Sequence, residues 1–418
     1  MKNILCQKAN SGTIEININR LAEFNSTPGY GITRIALSSE DMEGRAYIKN
    51  TMKSTGLEVS EDGAANIYGT YPGSDRNLAP VWTGSHLDTV PNGGRFDGIS
   101  GVVCGIEAVR LIKESGFVPK RDISVICYTS EEPSRYGVGC IGSRVLAGRM
   151  TESETKTLID ADQITLWQKL QNLGFDLNNI ADMKKKKGDV YASVELHVEQ
   201  GGILEKTGNT IGIVHTISAP TEMHVTAHGI QSHAGATPME YRKDTVVAVA
   251  EAITGLERLA CQYENPSTVA TVGKINVYPN SSNVISGHTD FSVDIRSDKF
   301  TEKEKILSDY IALLSELEIK RDVKFTTEII CNDKPAVADK NIQSIIRDAC
   351  EEHNYSYIDM ASGAYHDSLM ISEFAPFGMI FLPSIGGISH DKNEKTDFED
   401  LAKGTDILAE TLLKLAME

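Results

Sequence analysis

The chain has 418 residues, 40% hydrophobic and 24% charged, enough for one large globular domain or two moderate ones with a sizeable core. Its net charge of -17 argues against nucleic acid or an anionic membrane as partner, because both require basic patches. The seven cysteines (Cys6, Cys104, Cys127, Cys140, Cys261, Cys331, Cys350) are scattered with no C-x-x-C pair, no stretch is long enough to span a bilayer, and the N-terminal segment lacks the apolar core of a signal peptide; a reducing cytoplasm is the expected location.

In chain order, helices are expected over 14–27 and 39–55, then a hairpin over 57–71 turning at Glu61-Asp62-Gly63. The apolar run Ala79–Trp82 leads into Thr83-Gly84-Ser85 and then presents His86, Asp88 and Asp97. While the backbone stays extended, His86 and Asp88 project to the same face, which suits a metal-ligating imidazole oriented by a carboxylate. Asp97 lies in a bend rich in glycine (Gly93, Gly94, Gly98, Gly101), where the chain can turn sharply back toward His86. Taken alone, H-x-D fits a surface loop equally well.

A mostly apolar helix is expected over 101–115, followed by ISVICYT (123–129), a continuous apolar run suited to a strand buried on both faces. That run ends in Ser130-Glu131-Glu132-Pro133. Residues 151–189 read as helical and polar, with Lys184–Lys187 a solvated loop. A strand over 191–196 then delivers His197, Glu199 and Gln200.

After Gly212 the pattern changes. Strands over 213–227, 268–278, 284–296 and 323–330, with helices over 239–262 and 301–319, give a β-α-β-β-α-β order, the ferredoxin-like α+β sandwich. Residues 213–331 therefore read as a domain inserted into a discontinuous α/β domain of residues 1–212 and 332–418, with hinge-like flanks at Gly208–Gly212 and Asn332–Pro335. A helix over 341–353, a strand over 378–382 and a helix over 398–417 complete the larger domain.

Five candidate metal ligands fall at strand ends or adjoining loops: His86, Asp97, Glu132, His197 and His390. Two divalent cations bridged by one carboxylate need about this set and leave positions open for water and substrate. Glu131 is left over, and a carboxylate beside a ligand but not itself ligating suits a general base.

The stretches GSHLDTVPNGGRFDG, SEEPSRYG, ELHVEQG, SHAGATPMEYRKD, SNVISG with DIRS, AYHDS and PSIGGISH resemble the M20-type di-metal amidohydrolases across both domains. The resemblance is to the branch that cleaves linear ureido compounds: N-carbamoyl-L-amino acid hydrolases, allantoate amidohydrolases and ureidoglycolate amidohydrolases. It implies a mixed-sheet di-metal hydrolase domain with an inserted lid and dimerisation domain, a homodimer, and cleavage of a ureido C–N bond with release of ammonia and CO2. On the matching residues it implies one metal on His86, Asp97 and His197, and a second on Asp97, Glu132 and His390. Glu131 would be the base and Asp88 the orienter of His86. Gln200, His233, Asn283 and Arg296 would contact substrate, His233 donating to the developing oxyanion and Arg296 pairing with a carboxylate. His366, near the closing loop, is a further candidate for substrate contact, whereas His215, His224, His228, His288 and His353 carry no such context.

Ordinary M20 peptidases usually place an acidic ligand where this chain has His197. Exchanging a carboxylate for a neutral imidazole leaves the metal pair more electrophilic by one charge, which suits a ureido carbonyl deactivated by two nitrogen lone pairs. Mixed imidazole and carboxylate donors accept Mn²⁺ or Zn²⁺, and also Co²⁺ or Ni²⁺. Among ureido acids, SEEPSRYG, ISAP (217–220) and AYHDS resemble the ureidoglycolate enzymes most. Ala219-Pro220-Thr221 offers a single hydroxyl where allantoate enzymes tend to carry basic residues. The alternatives are a peptidase or aminoacylase on the same fold, which His197 and Gln200 oppose, and a non-catalytic binding protein, which the full set of ligands opposes.

Overall fold

The computed structural model describes Leu5, residues 7–178 and residues 180–418; Cys6 and most of the N-terminal segment fall outside them. The chain forms two compact units: residues up to His215 with Val337–Met360 and His366–Glu418, and Thr216–Ala336 with Ala361–Tyr365.

The first unit is built on a mixed sheet in the order Glu58–Glu61, Ile67–Tyr71, Ile123–Tyr128, Val81–His86, Ala192–Val198, Phe377–Leu382, Ile211–Ile217. The four strands from Ile123–Tyr128 through Phe377–Leu382 run parallel, while the strands beyond them on either side are antiparallel to their neighbours. Every residue of those four is buried, as in a sheet covered on both faces. Helices Ile99–Glu114 and Phe398–Met417 pack on the sheet and on each other. Because the central strands share a direction, their C-terminal ends lie along one edge, the usual position for a site in such sheets.

Helix boundaries follow capping chemistry. Ser38 accepts from the Asp41 N–H to start Ser39–Thr55, and Gly56, at φ 85°, ends it. The first helix spans Ser11–Ala22 and stops short of the expected residue 27. There Asn25 Oδ1 accepts from the N–H groups of Thr27 and Thr33 at 2.9 and 2.8 Å, organising a turn instead. Among the described residues of 151–189 the helices are short, Glu152–Thr157 and Leu166–Asn172, with a single 3-10 turn at Ile180–Met183. Leu166, Trp167, Leu170, Leu177 and Ile180 there join Tyr136, Ile141 and Val145 in a separate small core. The expected strand over 213–227 is two strands, Ile211–Ile217 and Ala219–His228, which pair into different sheets.

In the second unit, Ala219–His228 pairs with His288–Ser297 on one side and Lys324–Asn332 on the other, and Val269–Thr271 with Ile275–Tyr278 continue the sheet beyond His288–Ser297. Alternate residues of His288–Ser297 (Thr289, Phe291, Val293, Ile295, Ser297) are buried, and the apolar ones join helices Thr245–Ala260 and Phe300–Arg321 in one core. This is a β-α-β-β-α-β order with both helices on one face. The first helix begins six residues later than expected because Asp244 caps it, accepting from the N–H groups of Val246 and Val247. Among the described residues, no helix is long and apolar enough to cross a membrane, and the cysteines form no disulfide.

Candidate active site

His86 ends strand Val81–His86, and its Nδ1 lies 2.9 Å from the main-chain carbonyl of Asp88. Nδ1–H therefore donates to that carbonyl, and the Nε2 lone pair is directed at Asp97 and Glu131. His197, in strand Ala192–Val198, is held the same way, with Nδ1 2.8 Å from the Val198 carbonyl and Nε2 accepting from the Gly98 N–H at 3.0 Å. Both imidazoles are thus fixed in the tautomer a metal requires.

The Asp88 carboxylate does different work from that expected. It accepts from the main-chain N–H groups of Glu131 (3.2 Å) and Glu132 (3.0 Å), and its Oδ1 is 3.9 Å from His86 Nδ1. Asp88 orients His86 through its backbone oxygen and anchors the Glu131-Glu132 pair through its side chain.

The Asp97 oxygens are divided. Oδ1 lies 3.6 Å from His86 Nε2 and 3.2 Å from His197 Nε2, while Oδ2 lies 3.2 Å from His390 Nε2. His390 Nε2 is also 3.4 Å from Glu132 Oε1, and Glu131 Oε2 is 3.7 Å from His86 Nε2. Two donor groups result, His86/Asp97/His197 and Asp97/Glu132/His390, with Asp97 common to both. This donor set fits two divalent cations bridged by Asp97.

The electrostatics agree with that fit. Burial pushes the Glu132 carboxyl up to about 7, reinforced by the Asp97 charge, and burial also raises Glu131 well above the ordinary carboxylate range. Burial acts on Asp97 in the same direction, but the three imidazoles set around it, those of His197, His390 and His86, outweigh it and hold Asp97 well below that range. The contact with Asp97 raises His390 to about 9. Three carboxylates in one buried pocket repel one another, and cations relieve that cost.

Two partners of Asp97 were not visible in the sequence. Glu394 Oε1 accepts from the N–H groups of Phe96 (2.8 Å) and Asp97 (3.1 Å), and Ser389 Oγ lies 3.1 Å from Asp97 Oδ2. The available signal was a carboxylate four residues beyond His390. Gln200 Nε2 donates to Asp97 Oδ2 at 2.6 Å, leaving Gln200 Oε1 buried with no hydrogen-bond partner among the described residues. His366 is buried, with its ring edge-on to His197 at 4.6 Å, and it forms a third group with Glu195 and His197. The Glu195 oxygens are already engaged by Ser85 Oγ and by the N–H and hydroxyl of Ser368.

The M20/M25/M40 peptidase family matches residues 82–414, which include all of these side chains. The chain belongs to that family. This M20 chain is 37% identical to a ureidoglycolate hydrolase of Arabidopsis thaliana over 97% of its own length and 86% of the relative's. It is 35% identical to an N-carbamoyl-L-amino-acid amidohydrolase of Paenarthrobacter aurescens (98% and 99% covered) and 34% identical to an allantoate amidohydrolase of Escherichia coli K12 (97% and 98%). A crystal structure of AtUAH in complex with glyoxylate superposes with a TM-score of 0.93 at 36% identity, both chains fully covered. The resemblance to the ureido-cleaving branch is thereby borne out.

The remaining expected site residues lie in the second unit. His233 Nδ1 accepts from the N–H groups of Gly235 and Ala236 at 3.0 and 3.1 Å, so its proton resides on Nε2. Asn283 is adjacent, its carbonyl accepting from the Ala234 N–H. The Arg296 fork is occupied within the chain: Nε and Nη2 hold Asp294 at 3.0 and 2.9 Å, and Nη1 reaches the Gly363 carbonyl at 3.4 Å. Thr221, expected as the one hydroxyl of its segment, is fully buried and donates to Asn332 at 2.7 Å.

Proposed function

We propose that this chain hydrolyses the carbamoyl C–N bond of linear ureido acids, with ureidoglycolate preferred. Water attacks the ureido carbon, the bond to the substituted nitrogen breaks, and the released carbamate decomposes to ammonia and CO2. The observation that carries this reading is the division of Asp97 between two imidazole–carboxylate groups, with Glu131 beside them. His86, Asp97 and His197 would hold one divalent cation, and Asp97, Glu132 and His390 the other, Mn²⁺ or Zn²⁺ by donor type, with Co²⁺ or Ni²⁺ also accommodated. Bound there, the cations would supply Lewis acidity toward the ureido carbonyl.

The protein's own groups do the rest. Glu131 takes a proton from the attacking water and returns it to the leaving nitrogen. Gln200 Oε1, unpartnered and buried, accepts an N–H of the terminal ureido nitrogen. His233, with its proton on Nε2, donates to the oxyanion, and Asn283 beside it binds substrate. Arg296 binds the substrate carboxylate through the N–H groups not held by Asp294 and the Gly363 carbonyl. His366 holds the ring of His197 in place and stands as a further candidate for substrate contact.

The second unit acts as a lid and dimerisation domain, and the enzyme is a cytoplasmic homodimer in this reading. The preference for ureidoglycolate is supported by the similarity to ureidoglycolate hydrolase and by the absence of an available donor at Ala219-Pro220-Thr221, where the Thr221 hydroxyl is already used. A second ureido arm left poorly paired costs about 1–3 kcal/mol per unmet hydrogen bond, tenfold or more in kcat/KM. The test is ammonia release by Mn²⁺-loaded enzyme on ureidoglycolate, allantoate and N-carbamoyl-L-amino acids, with a chelator-treated control. Ureidoglycolate is expected to lead by at least tenfold. A tenfold lead for another ureido acid overturns the preference, and amine release from peptides with no ammonia from any ureido acid overturns the reaction.

A further inference from the structure

The segment Gly139–Gly142 closes on the glutamate pair in a way the reaction as described does not use. The N–H groups of Cys140, Ile141 and Gly142 donate in turn to the carbonyls of Glu131 (2.8 Å), Ser130 (2.9 Å) and Thr129 (2.8 Å), so two chain segments are laced together at successive residues. The approach is tight, since a Cβ at position 139 would lie 2.5 Å from the Glu131 carbonyl oxygen. Cys140 is fully buried and has a left-handed backbone (φ 55°, ψ 36°), uncommon for a residue with a side chain. That conformation directs its Sγ to within 3.7 Å of Glu131 Oε1, leaving Glu131 Oε2 as the oxygen facing His86 Nε2.

We propose that Cys140 is a positioning residue for Glu131: its thiol donates to Oε1 and fixes the rotation of the carboxylate so that Oε2 faces the reacting groups. The terminal torsion of a glutamate is broad and two-fold, so the main-chain lacing alone leaves the carboxylate free to turn. A thiol is a weak donor. It sets orientation with little of the loss of basicity that a strong hydrogen bond to a carboxylate brings. Burial holds the thiol protonated, as a donor must be. The role rests on the proposed function of Glu131 as base.

Cys140→Ala and Cys140→Ser test it. With Cys140→Ala, kcat for ureidoglycolate is expected to fall about tenfold while KM and metal content stay at wild-type values, and Cys140→Ser should recover most of the loss. A purely structural role would lower the melting temperature without that kcat-specific loss and rescue. Wild-type kcat in Cys140→Ala, or no recovery in Cys140→Ser, overturns the proposal. A crystal structure of Cys140→Ala supplies a readout independent of any substrate: the Glu131 carboxylate should be rotated or split between two conformers, and an unmoved carboxylate overturns the proposal. A displaced carboxylate combined with a wild type inactive on every ureido acid supports the positioning and refutes the assigned reaction.

Discussion

Gly98→Ala offers a sharp test of how the metal-ligand cluster is built. Gly98 precedes helix Ile99–Glu114 at φ 68°, ψ -51°, a conformation that side-chain-bearing residues avoid. An added Cβ would lie 2.3 Å from His86 Cε1, 2.4 Å from Nε2 and 2.5 Å from Nδ1. Carbon contacts are comfortable at about 3.5 Å, so the imidazole must retreat by roughly 1 Å. The backbone adds about 1–3 kcal/mol of strain, and a displacement of that size at a reacting centre costs about 10²-fold. The Gly98 N–H also donates to His197 Nε2, so both imidazoles on Asp97 Oδ1 are disturbed together. Gly116→Ala is the control: Gly116 also has a positive φ, 79°, but nothing lies within 4 Å of its added Cβ. Elemental analysis, kcat/KM and thermal melts should show Gly98→Ala losing metal and at least 100-fold in activity, while Gly116→Ala loses some stability and no activity. A Gly98→Ala enzyme that holds two metals per chain and works within threefold of wild type refutes the reasoning.

Glu131→Gln should retain both metals by elemental analysis while kcat falls by about 10²–10⁴, the usual contribution of a general base, and a loss under tenfold removes Glu131 from that role. If the second unit of one subunit completes the partner's site, mixing inactive Glu131→Gln with inactive Arg296→Ala subunits restores part of the ammonia release, and hybrids shown to form without recovery contradict a shared site. Glu410 gives a pH prediction remote from the metal ligands. It is buried, 2.9 Å from His353 Nε2 and 3.2 Å from Lys414 Nζ. Burial would raise its carboxyl, but hydrogen bonds with His353, Glu352 and Lys414 prevail and bring it to about 2. The unfolded carboxyl titrates near ~4.3, so the stabilisation is complete above that pH and lost as pH falls through about 2. In urea melts Glu410→Gln should be less stable than wild type at neutral pH, with the gap closing as pH drops from 4.3 to 2; a gap constant across that interval overturns the assignment.

The sequence is most readable where one local rule suffices. The runs VWTGS and ISVICY carry no charged residue because both faces of those strands are covered, and the ionisable residues that follow must then lie at strand ends. Ser38 and Gly56 mark the helix between them by capping chemistry alone. The less readable parts depend on partners far away in sequence. The stretch from Ile211 to His228 gives no local sign that it changes sheets at Ser218, because strand pairing is decided by segments sixty or more residues distant. The grip of Glu394 on the Phe96-Asp97 backbone spans 297 or 298 positions, and that of the Asp88 carboxylate on Glu131 and Glu132 spans 43 or 44. Arg296 was readable as a candidate site residue, but not as one already matched by Asp294, since an i,i+2 pair on a strand looks the same whether it is satisfied or waiting.

Strand Phe377–Leu382 sits between Ala192–Val198 and Ile211–Ile217 in the sheet yet is synthesised long after both. A nascent chain that has emerged through residue 340 already carries His86, Asp97, Glu132 and His197, but the strand that joins the two halves of its sheet is still missing, and so is His390. Until residues 377–382 arrive, the inner edge of Ala192–Val198 has no partner for its N–H and C=O groups. The order of synthesis therefore makes the cluster one of the last features to be completed and exposes an unpaired edge of a normally buried strand in the interim. Truncations or ribosomal stalls in this interval should yield aggregates rather than partially active enzyme.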